Sequence, residues 1–241
     1  MTLLEAIYQR ISRRTYLSTP IEKDKIDRIG ELIKQYNSLS GLTIEFIEDG
    51  STAFNGLAKS YGMFKNVRSL LIFKGDKNDT YLKEKVGYYG ELLILEAIKL
   101  GLGTCWVGAT FDRKDEVFSV KENEDLVCVI TVGTVAAEVT TKEGFIRKIT
   151  HRKKRPLEYF YHSDVTPSQW FINGVKAVQI APSANNRQAY RLEYKEDRAT
   201  IKIEDKSVYD LIDLGIAKLH FEIAADGKFG YGNPAAFVKE D

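Results

Sequence analysis

The amino-acid sequence predicts an α+β fold, a mixed β-sheet flanked by helices, and three observations support that prediction. The stretch from Leu92 to Leu100 is apolar on nearly every side of a helical wheel, which is typical of a helix buried at the centre of a fold. The run from Leu126 to Ala136 is rich in β-branched residues and predicts a buried strand. A pattern of helix, strand and helix then recurs after residue 166, which predicts two related halves in one chain.

The predicted central helix ends at the sequence Gly-Leu-Gly, residues 101–103. Glycine favours this position because it adopts the left-handed conformation that closes a helix. Small residues and Trp106 follow, so a flat molecule could approach this backbone closely. Taken alone, the stretch is better explained as a core helix with a tight exit and no ligand.

Composition limits the classes of function. The 241 residues are 44% hydrophobic and 29% charged, as in ordinary globular proteins, and the net charge of +1 argues neither for nor against a nucleic-acid partner. Two cysteines and three histidines, none spaced as ligands of one ion, predict neither a disulfide framework nor a metal site. No signal peptide is recognised and the central helix is too short and too charged to span a bilayer, so we expect a cytoplasmic protein without a membrane partner.

The first half begins with a short amphipathic helix over Leu3–Arg10. The segment Thr19-Pro20-Ile21-Glu22 predicts a capping box that opens a second helix, which ends before a polar loop from Asn37 to Gly41. Strands are predicted over Leu42–Asp49 and Ser69–Lys74.

The second half repeats this order. Thr166-Pro167-Ser168-Gln169 predicts another capping box, the strand over Tyr190–Asp197 aligns with Leu42–Asp49, and a helix over Tyr209–Ala225 stands in for the central helix. We therefore predict two halves, residues 1–158 and residues 159–241. They differ in one loop: Ser183–Gln188 carries paired amides, which suit the edge of a planar heterocycle.

Two basic runs are candidate anion sites. Arg10–Tyr16 places three arginines around a serine, and guanidinium groups match phosphate oxygens bidentately. His151–Leu157 contains the densest basic run of the chain. A solvated basic surface, a nucleic-acid patch and a specific phosphate site all remain possible from charge alone, although no nucleic-acid motif lies nearby.

Four motifs together resemble the flavin-dependent nitroreductase family. They are RISRRTY at Arg10–Tyr16, GLGTCWVG at Gly101–Gly108, KKRPL at Lys153–Leu157 and APSANNRQ at Ala181–Gln188. In ordinary members the Pro-Ser-x-x-Asn loop follows soon after the arginine-rich start, whereas here the second half supplies it. The resemblance thus implies a homodimer fused into one polypeptide with one surviving FMN site, and hence a monomer or at most a weak dimer.

The resemblance also implies which residues contact the cofactor. Arg10, Ser12 and Arg14 match the positions that contact the phosphate, the ribityl chain and the N1–O2 edge of the ring. The basic run supplies a second pair of phosphate contacts, the glycine-rich stretch passes the reactive edge, and the amide loop covers the ring. The full implied set is Arg10, Ile11, Ser12, Arg14, Thr104, Cys105, Trp106, Val107, Gly108, Lys153, Arg155, Pro182, Ser183, Asn185 and Gln188. Ala189 departs from the family, where a proline is common, and Cys105 has no assigned role beyond packing.

The implied activity is an FMN-dependent oxidoreductase that transfers hydride from NAD(P)H, through flavin N5, to a small-molecule acceptor of nitro-aromatic or quinone type. No protein acid or base is expected to be catalytic; Arg14 is the one residue expected to stabilise the reduced ring at N1–O2. Gly101-Leu102-Gly103 follows a helix and not a strand, so it is not a dinucleotide fingerprint. The alternative is a flavin carrier or redox sensor without rapid turnover, and a nucleic-acid protein is a third hypothesis.

Overall fold

The protein is described by a computed structural model covering residues 1–54, 62–150 and 155–240, without the side chains of residues 142, 147, 149 and 150. The chain divides into a four-stranded unit, Gln9–Leu82 with Leu93–Ile149, and a five-stranded unit, Met1–Tyr8 with Lys83–Leu92 and Thr150–Asp241. The α-helices are α1 (Leu3–Gln9), α2 (Lys23–Ser40), α3 (Leu82–Lys99), α4 (Thr141–Thr150), α5 (Gln169–Gln179) and α6 (Asp210–Ala225). The strands are β1 (Thr43–Ile47), β2 (Ser69–Asp76), β3 (Gly103–Val107), β4 (Glu124–Gly133), β5 (Tyr161–Ser163), β6 (Arg191–Lys195), β7 (Arg198–Lys202), β8 (Gly227–Phe229) and β9 (Ala235–Lys239).

The four-stranded unit has an antiparallel sheet in the order β1-β2-β4-β3. Its central strands are those with the strongest apolar signal, because β2 and β4 are covered on both faces. Leu70 to Phe73 of β2 are at most 1% exposed, and Val129 and Ile130 of β4 are fully buried. This confirms both predicted strands, although β4 ends at Gly133 and not at Ala136.

The five-stranded unit has the order β5-β6-β7-β9-β8, in which β5 runs parallel to β6 and the remaining pairs are antiparallel. Helices α5 and α6 pack against each other beneath a cluster of aromatic rings. Phe171 and Phe221 lie 5.7 Å apart between ring centroids, and Trp170 stacks on Phe237 at 5.4 Å. The predicted α+β class is confirmed, and the mixed sheet is the five-stranded one.

Helix α3 is the predicted central helix, and it begins well before the apolar stretch. Leu93 to Leu95 and Ala97 are buried, as expected. Its end is a Schellman motif: Gly101 has a φ of +76°, its N–H donates to Ile98 O at 2.9 Å, and Leu102 N–H donates to Ala97 O at 3.0 Å. The predicted glycine stop is confirmed. Within the described ranges, no helix combines the length and the apolarity needed to cross a membrane.

Two glycines bring the first half of α3 into backbone contact with α6 inside the five-stranded unit. A Cβ atom added at Gly87 would lie 2.0 Å from Ile212 O, and one at Gly215 would lie 2.1 Å from Glu84 O. No side chain fits between the two helices at this point, so glycine is required here for space.

Buried ionisable side chains surround this glycine contact. Lys218 Nζ lies 2.5 Å from Glu84 Oε1, and His220 Nε2 lies 3.0 Å from Glu91 Oε1. His220 Nδ1 faces the Ala177 carbonyl at 3.1 Å. Because a carbonyl only accepts, Nδ1 is the donor of that contact, and Nε2 faces the Glu91 carboxyl.

Both predicted capping boxes are wrong. Helix α2 begins only at Lys23; Glu22 is its N-cap in an extended conformation, and no side chain caps the helix. The extended segment carries Ile21, 7% exposed, into the core ahead of the helix. At α5 the N-cap is Ser168, whose Oγ lies 2.7 Å from Tyr194 Oη and donates to Asp197 Oδ1 at 2.9 Å, so its hydroxyl serves tertiary contacts and not the helix.

The predicted polar loop from Asn37 to Gly41 is largely helical. Helix α2 continues to Ser40 because the Asn37 side chain pairs with the backbone of Ile44: Nδ2 donates to Ile44 O at 3.0 Å and Oδ1 accepts Ile44 N–H at 2.8 Å. The amide that suggested a loop instead links the helix to strand β1.

Candidate functional site

The arginine-rich segment lies along the outer edge of β3 in the four-stranded unit. Ser12 pairs with Thr104 in a parallel bridge, and the Arg13 N–H donates to Thr104 O at 2.8 Å. Strand β3 is the last strand of its sheet, so its second edge is available for this pairing. The glycine-rich stretch therefore forms a strand, which sequence analysis did not predict, and that strand brings two predicted cofactor segments together.

Three predicted ligands influence the Cys105 thiol. Burial raises the pKa of this thiol, while Arg14, a hydrogen bond with Ser12, and Arg10 act in the opposite direction. Cys105 is 3% exposed and forms no disulfide with Cys128, so it acts as a neutral packing residue within β3. The Ser12 hydroxyl therefore lies beside Cys105, and the two arginines act on the thiol through their charge.

Arg13, between these ligands, has a different role. It is 6% exposed, its Nε lies 3.4 Å from Glu143 Oε1, and its Nη2 donates to the carbonyls of Ala136 at 3.0 Å and Glu138 at 3.2 Å. Arg13 therefore anchors the segment. In an extended chain successive side chains point to opposite sides, so the predicted ligands Ser12 and Arg14 project from the side opposite to Arg13.

Glu143 of α4 organises the same segment and was not recognised in the sequence. Its Oε1 accepts the N–H groups of Arg14 at 2.7 Å and Thr15 at 3.0 Å, and its Oε2 accepts from Thr140. Burial alone would raise the pKa of this carboxyl. The backbone hydrogen bonds from Arg14, Thr140 and Thr15 outweigh that effect and lower it. Glu143 is therefore an ionised clamp on the backbone that carries Arg14.

Strand β3 is buried along most of its length. Thr104, Cys105 and Val107 are buried, whereas Trp106 and Gly108 are half-buried. The Gly108 carbonyl accepts from Arg113 Nη1 at 3.2 Å. The predicted approach of a flat ring to this backbone stays a prediction.

In the five-stranded unit, Arg155 is half-buried, and its guanidinium carbon lies 4.0 Å from the centroid of the Tyr159 ring. Arg191 Cζ lies 3.8 Å from the same centroid. Lys153, the other predicted phosphate ligand of this run, lies outside the described residues.

The amide loop is held in a strained turn. Asn185 and Gln188 have φ values of +52° and +49°, in the left-handed region, and Ser183 Oγ closes the loop by accepting Gln188 N–H at 3.0 Å. The Gln188 side chain is 6% exposed and donates through Nε2 to Gln179 O at 2.8 Å. Left-handed non-glycine residues cost free energy and persist only where neighbours hold them.

Asp213 of α6 supplies one such restraint, and sequence analysis missed it. Both its carboxylate oxygens accept the Ala184 N–H, at 3.0 and 3.1 Å. Burial raises the pKa of Asp213 to about 7; the Ala184 hydrogen bond and Arg187 oppose this, and Asp210 reinforces it. A single carboxyl thus connects the helix to the start of the loop.

The predicted residues accordingly form two described groups. Arg10, Ile11, Ser12 and Arg14 lie with Thr104–Gly108 in the four-stranded unit, while Arg155 and the Pro182–Gln188 loop lie in the five-stranded unit.

Comparison with known proteins identifies the family. The family model described as "Putative TM nitroreductase" matches residues 2–225. The chain belongs to this nitroreductase family. Membership makes it an oxidoreductase of the nitroreductase type, and it confirms the family resemblance drawn from the four motifs. No curated protein matches the sequence.

Two solved structures, the first two described here, show the same fold as this nitroreductase-family chain. A structure described as "a putative nitroreductase" from Thermotoga maritima MSB8 is 20% identical, with 99% of this chain and 94% of that chain covered and a TM-score of 0.65. A nitroreductase family protein from Clostridium difficile 630 is 20% identical over 66% of this chain and 96% of its own, with a TM-score of 0.50. A nitroreductase with bound FMN from Bacteroides fragilis NCTC 9343 is 18% identical over 60% of this chain and 96% of its own, with a TM-score of 0.44.

Proposed function

We propose that this protein is an FMN-dependent oxidoreductase that uses NAD(P)H to reduce nitro-aromatic or quinone-like acceptors. The observation that carries the proposal is the pairing of the segment that contains Arg10, Ser12 and Arg14 with the edge of β3. These are the side chains that the family resemblance assigns to FMN. Strand pairing and the Glu143 clamp hold the segment that carries them in place.

The chemistry of this donor set fits FMN. A phosphate monoester carries up to two negative charges and three acceptor oxygens, and guanidinium groups bind such oxygens with charge-assisted hydrogen bonds. A hydroxyl can donate to or accept from the ribityl chain. Glu143 is the acid that faces the segment, and it is engaged with Arg13 and with backbone N–H groups, so it does not oppose an anion through free lone pairs.

FMN, when bound, supplies the redox-active ring, and the protein supplies binding and electrostatics. We assign Arg14 to the N1–O2 edge, where a positive charge favours the reduced flavin. We assign Arg10 and Arg155, together with Lys153, to the phosphate, and the Pro182–Gln188 loop to the cover of the ring. A cytoplasmic, monomeric protein with one FMN per chain completes the proposal.

Anaerobic mixing with a reduced nicotinamide tests this function. The protein saturated with FMN is mixed with NADH, and separately with NADPH, while the visible flavin absorbance is followed. We expect bleaching with at least one of them, much faster than for free FMN at the same concentration, and return of the colour on adding a quinone. Flavin that stays oxidised over many minutes in both mixtures would contradict the reductase and favour a flavin carrier or redox sensor.

A further inference from the structure

Arg155 lies in a closed circuit of contacts within the five-stranded unit. Its guanidinium carbon is 4.0 Å from the Tyr159 ring centroid, and Arg191 Cζ is 3.8 Å from the same centroid. Arg191 Nη1 donates to Gln188 O at 3.2 Å. Gln188 Nε2 donates to Gln179 O at 2.8 Å, and Gln179 Nε2 returns to Arg155 O at 2.8 Å.

The two arginines occupy opposite faces of the Tyr159 ring. Two guanidinium groups cannot both lie within 4.0 Å of one centroid on the same face without overlapping. The phenol ring is therefore sandwiched, with a positive charge against each negative face of its quadrupole. The N–H donors of a guanidinium lie in the plane of the group, so a cation–π contact with its face does not use them.

Among the residues that the structure describes, no carboxylate forms an ion pair with Arg155 or Arg191. The pKa of Glu204 is lowered chiefly by Lys206, which lies 2.5 Å away, and only secondarily by Arg191. An orientation fixed by stacking, without a competing carboxylate, leaves Arg155 able to bind an external anion.

The circuit also restrains the backbone on both sides of Tyr159. Gln179, at the end of α5, holds the Arg155 carbonyl and the Gln188 side chain at once. Arg191, at the start of β6, holds the Gln188 and Tyr190 carbonyls at 3.2 and 2.7 Å. The arginine predicted for the phosphate and the loop predicted for the ring are thus set relative to one another by the same few side chains.

We propose that Tyr159 is a positioning residue for phosphate recognition: its ring, with Arg191 stacked on the opposite face, orients the Arg155 guanidinium toward the phosphate group of the cofactor. This inference rests on the proposed function, which assigns Arg155 to the FMN phosphate. Tyr159 itself touches no ligand. Removing the Tyr159 ring would allow Arg155 many rotamers. The binding free energy of the phosphate would then fall, while that of the isoalloxazine ring would stay the same.

The experiment compares FMN with riboflavin, which is the same molecule without phosphate. Apoprotein affinities for both are measured by flavin fluorescence in wild type, Tyr159→Leu and Tyr159→Phe. We expect Tyr159→Leu to reduce the preference for FMN over riboflavin by about two- to thirty-fold, the range of cation–π contacts, by weakening FMN alone. Tyr159→Phe retains the ring, so its preference should equal that of wild type.

Several outcomes would overturn the inference. An equal loss of both flavins in Tyr159→Leu would show a merely structural role, and an unchanged preference would show that Arg155 needs no ring. A wild-type protein that binds neither flavin would contradict the proposed function itself. A protein that binds both flavins equally would leave flavin binding intact and refute only the phosphate assignment.

A second variant covers the case in which Tyr159→Leu does not fold. Arg191→Gln removes the opposite guanidinium and keeps an amide donor for the Gln188 and Tyr190 carbonyls. We expect a smaller loss of the FMN preference, with riboflavin affinity kept. A variant with the wild-type preference would contradict the sandwich as the orienting device.

Discussion

Arg10 and Arg14 lie on either side of the Ser12–Thr104 bridge in the sequence. Backbone pairing therefore fixes the position of their segment beside β3. Arg13 and Glu143 determine that backbone path through one ion pair and two backbone hydrogen bonds. Pre-organised donors of this kind bind an anion with little further loss of side-chain entropy. The proposed cofactor affinity therefore depends on individual side chains that can be removed one at a time.

The first prediction concerns Arg10. Arg10→Ala removes a charge-assisted hydrogen bond to the proposed phosphate, worth about 1.5–3 kcal/mol, which is about ten- to a hundred-fold in FMN affinity. Calorimetric titration of the apoprotein with FMN measures this affinity. Arg28→Ala is the matched control, because Arg28 is exposed on α2 and pairs with Glu31 at 2.9 Å. An Arg10→Ala protein with wild-type affinity would refute this ligand assignment.

The second prediction concerns the pH dependence of Asp213. Its pKa is raised to about 7 in the folded state, above the ordinary value, mainly by burial. The folded state therefore binds the proton more tightly than the unfolded state. This stabilising contribution is complete below about pH 4 and is lost as the pH rises through about 7, by at most about 1.4 kcal/mol per pH unit.

Asp213→Asn tests that dependence, because an amide oxygen still accepts the Ala184 N–H but does not titrate. Urea unfolding at pH 5 and pH 8 should show wild type losing more stability at pH 8 than Asp213→Asn does. All other groups titrate in both proteins, so the difference isolates this carboxyl. The same pH dependence in both proteins would contradict the assignment.

At this scale, sequence analysis predicted candidate cofactor ligands, which stay a prediction, and it missed the residues that hold their segment in place. Arg10, Ser12 and Arg14 occur within one short motif, which makes them recognisable in the sequence. Glu143 contacts Arg14 across 129 residues of chain, and no periodic pattern in the sequence indicates such a long-range contact. The role of Arg13 as an anchor likewise follows from its ion pair with Glu143, which the residues beside Arg13 in the sequence do not indicate.

At the scale of elements, the crossing of α3 and α6 depends on two glycines whose Cβ atoms would collide with backbone. We predict that Gly87→Ala destabilises the protein, because the added methyl would lie 2.0 Å from Ile212 O and the helices must separate. Overpacking of this kind costs about 1–3 kcal/mol or more. The measurement is the free energy of unfolding from a urea titration.

Gly30→Ala provides the control, since Gly30 lies in α2 with nothing within 4 Å of its Cβ position. There the same substitution should stabilise the protein by about 0.5–1 kcal/mol, through the higher helix propensity of alanine. Equal effects of the two substitutions would contradict the close approach of α3 and α6.

Elements with a strong periodic or continuous apolar signal were predicted well. The helix around Leu93, the strand around Val129 and the helix from Asp210 all form where expected. Strand β3 escaped prediction because its pairing with Ser12 and β4 is entirely non-local. The capping boxes failed for a related reason, since Ser168 uses its hydroxyl for Tyr194 and Asp197.

At the scale of the whole molecule, the five-stranded unit draws residues 83–92 from the middle of the chain. That segment carries Glu84, Gly87 and Glu91, which contact Lys218, Ile212 and His220 of α6. The predicted halves, residues 1–158 and 159–241, stay a prediction about relatedness, because spatial clustering does not measure sequence ancestry. The monomeric state of the fused chain is a prediction of the same kind.

A chain truncated after residue 158 would separate these partners. Glu84 and Glu91 would lose Lys218 and His220, and the glycine face of α3 would lose its cover. We expect the truncated chain to aggregate and to bind FMN poorly, as measured by light scattering and flavin fluorescence beside the full chain. A monodisperse, flavin-binding truncated chain would contradict this dependence.

The most direct test of the central claim is the stoichiometry of FMN binding to the full chain. Titration of the apoprotein by calorimetry should give one FMN per chain, because each ligand motif occurs once in the sequence. The purified protein should carry the absorbance spectrum of a flavoprotein. Two equivalent FMN sites per chain, or no binding at all, would contradict the account.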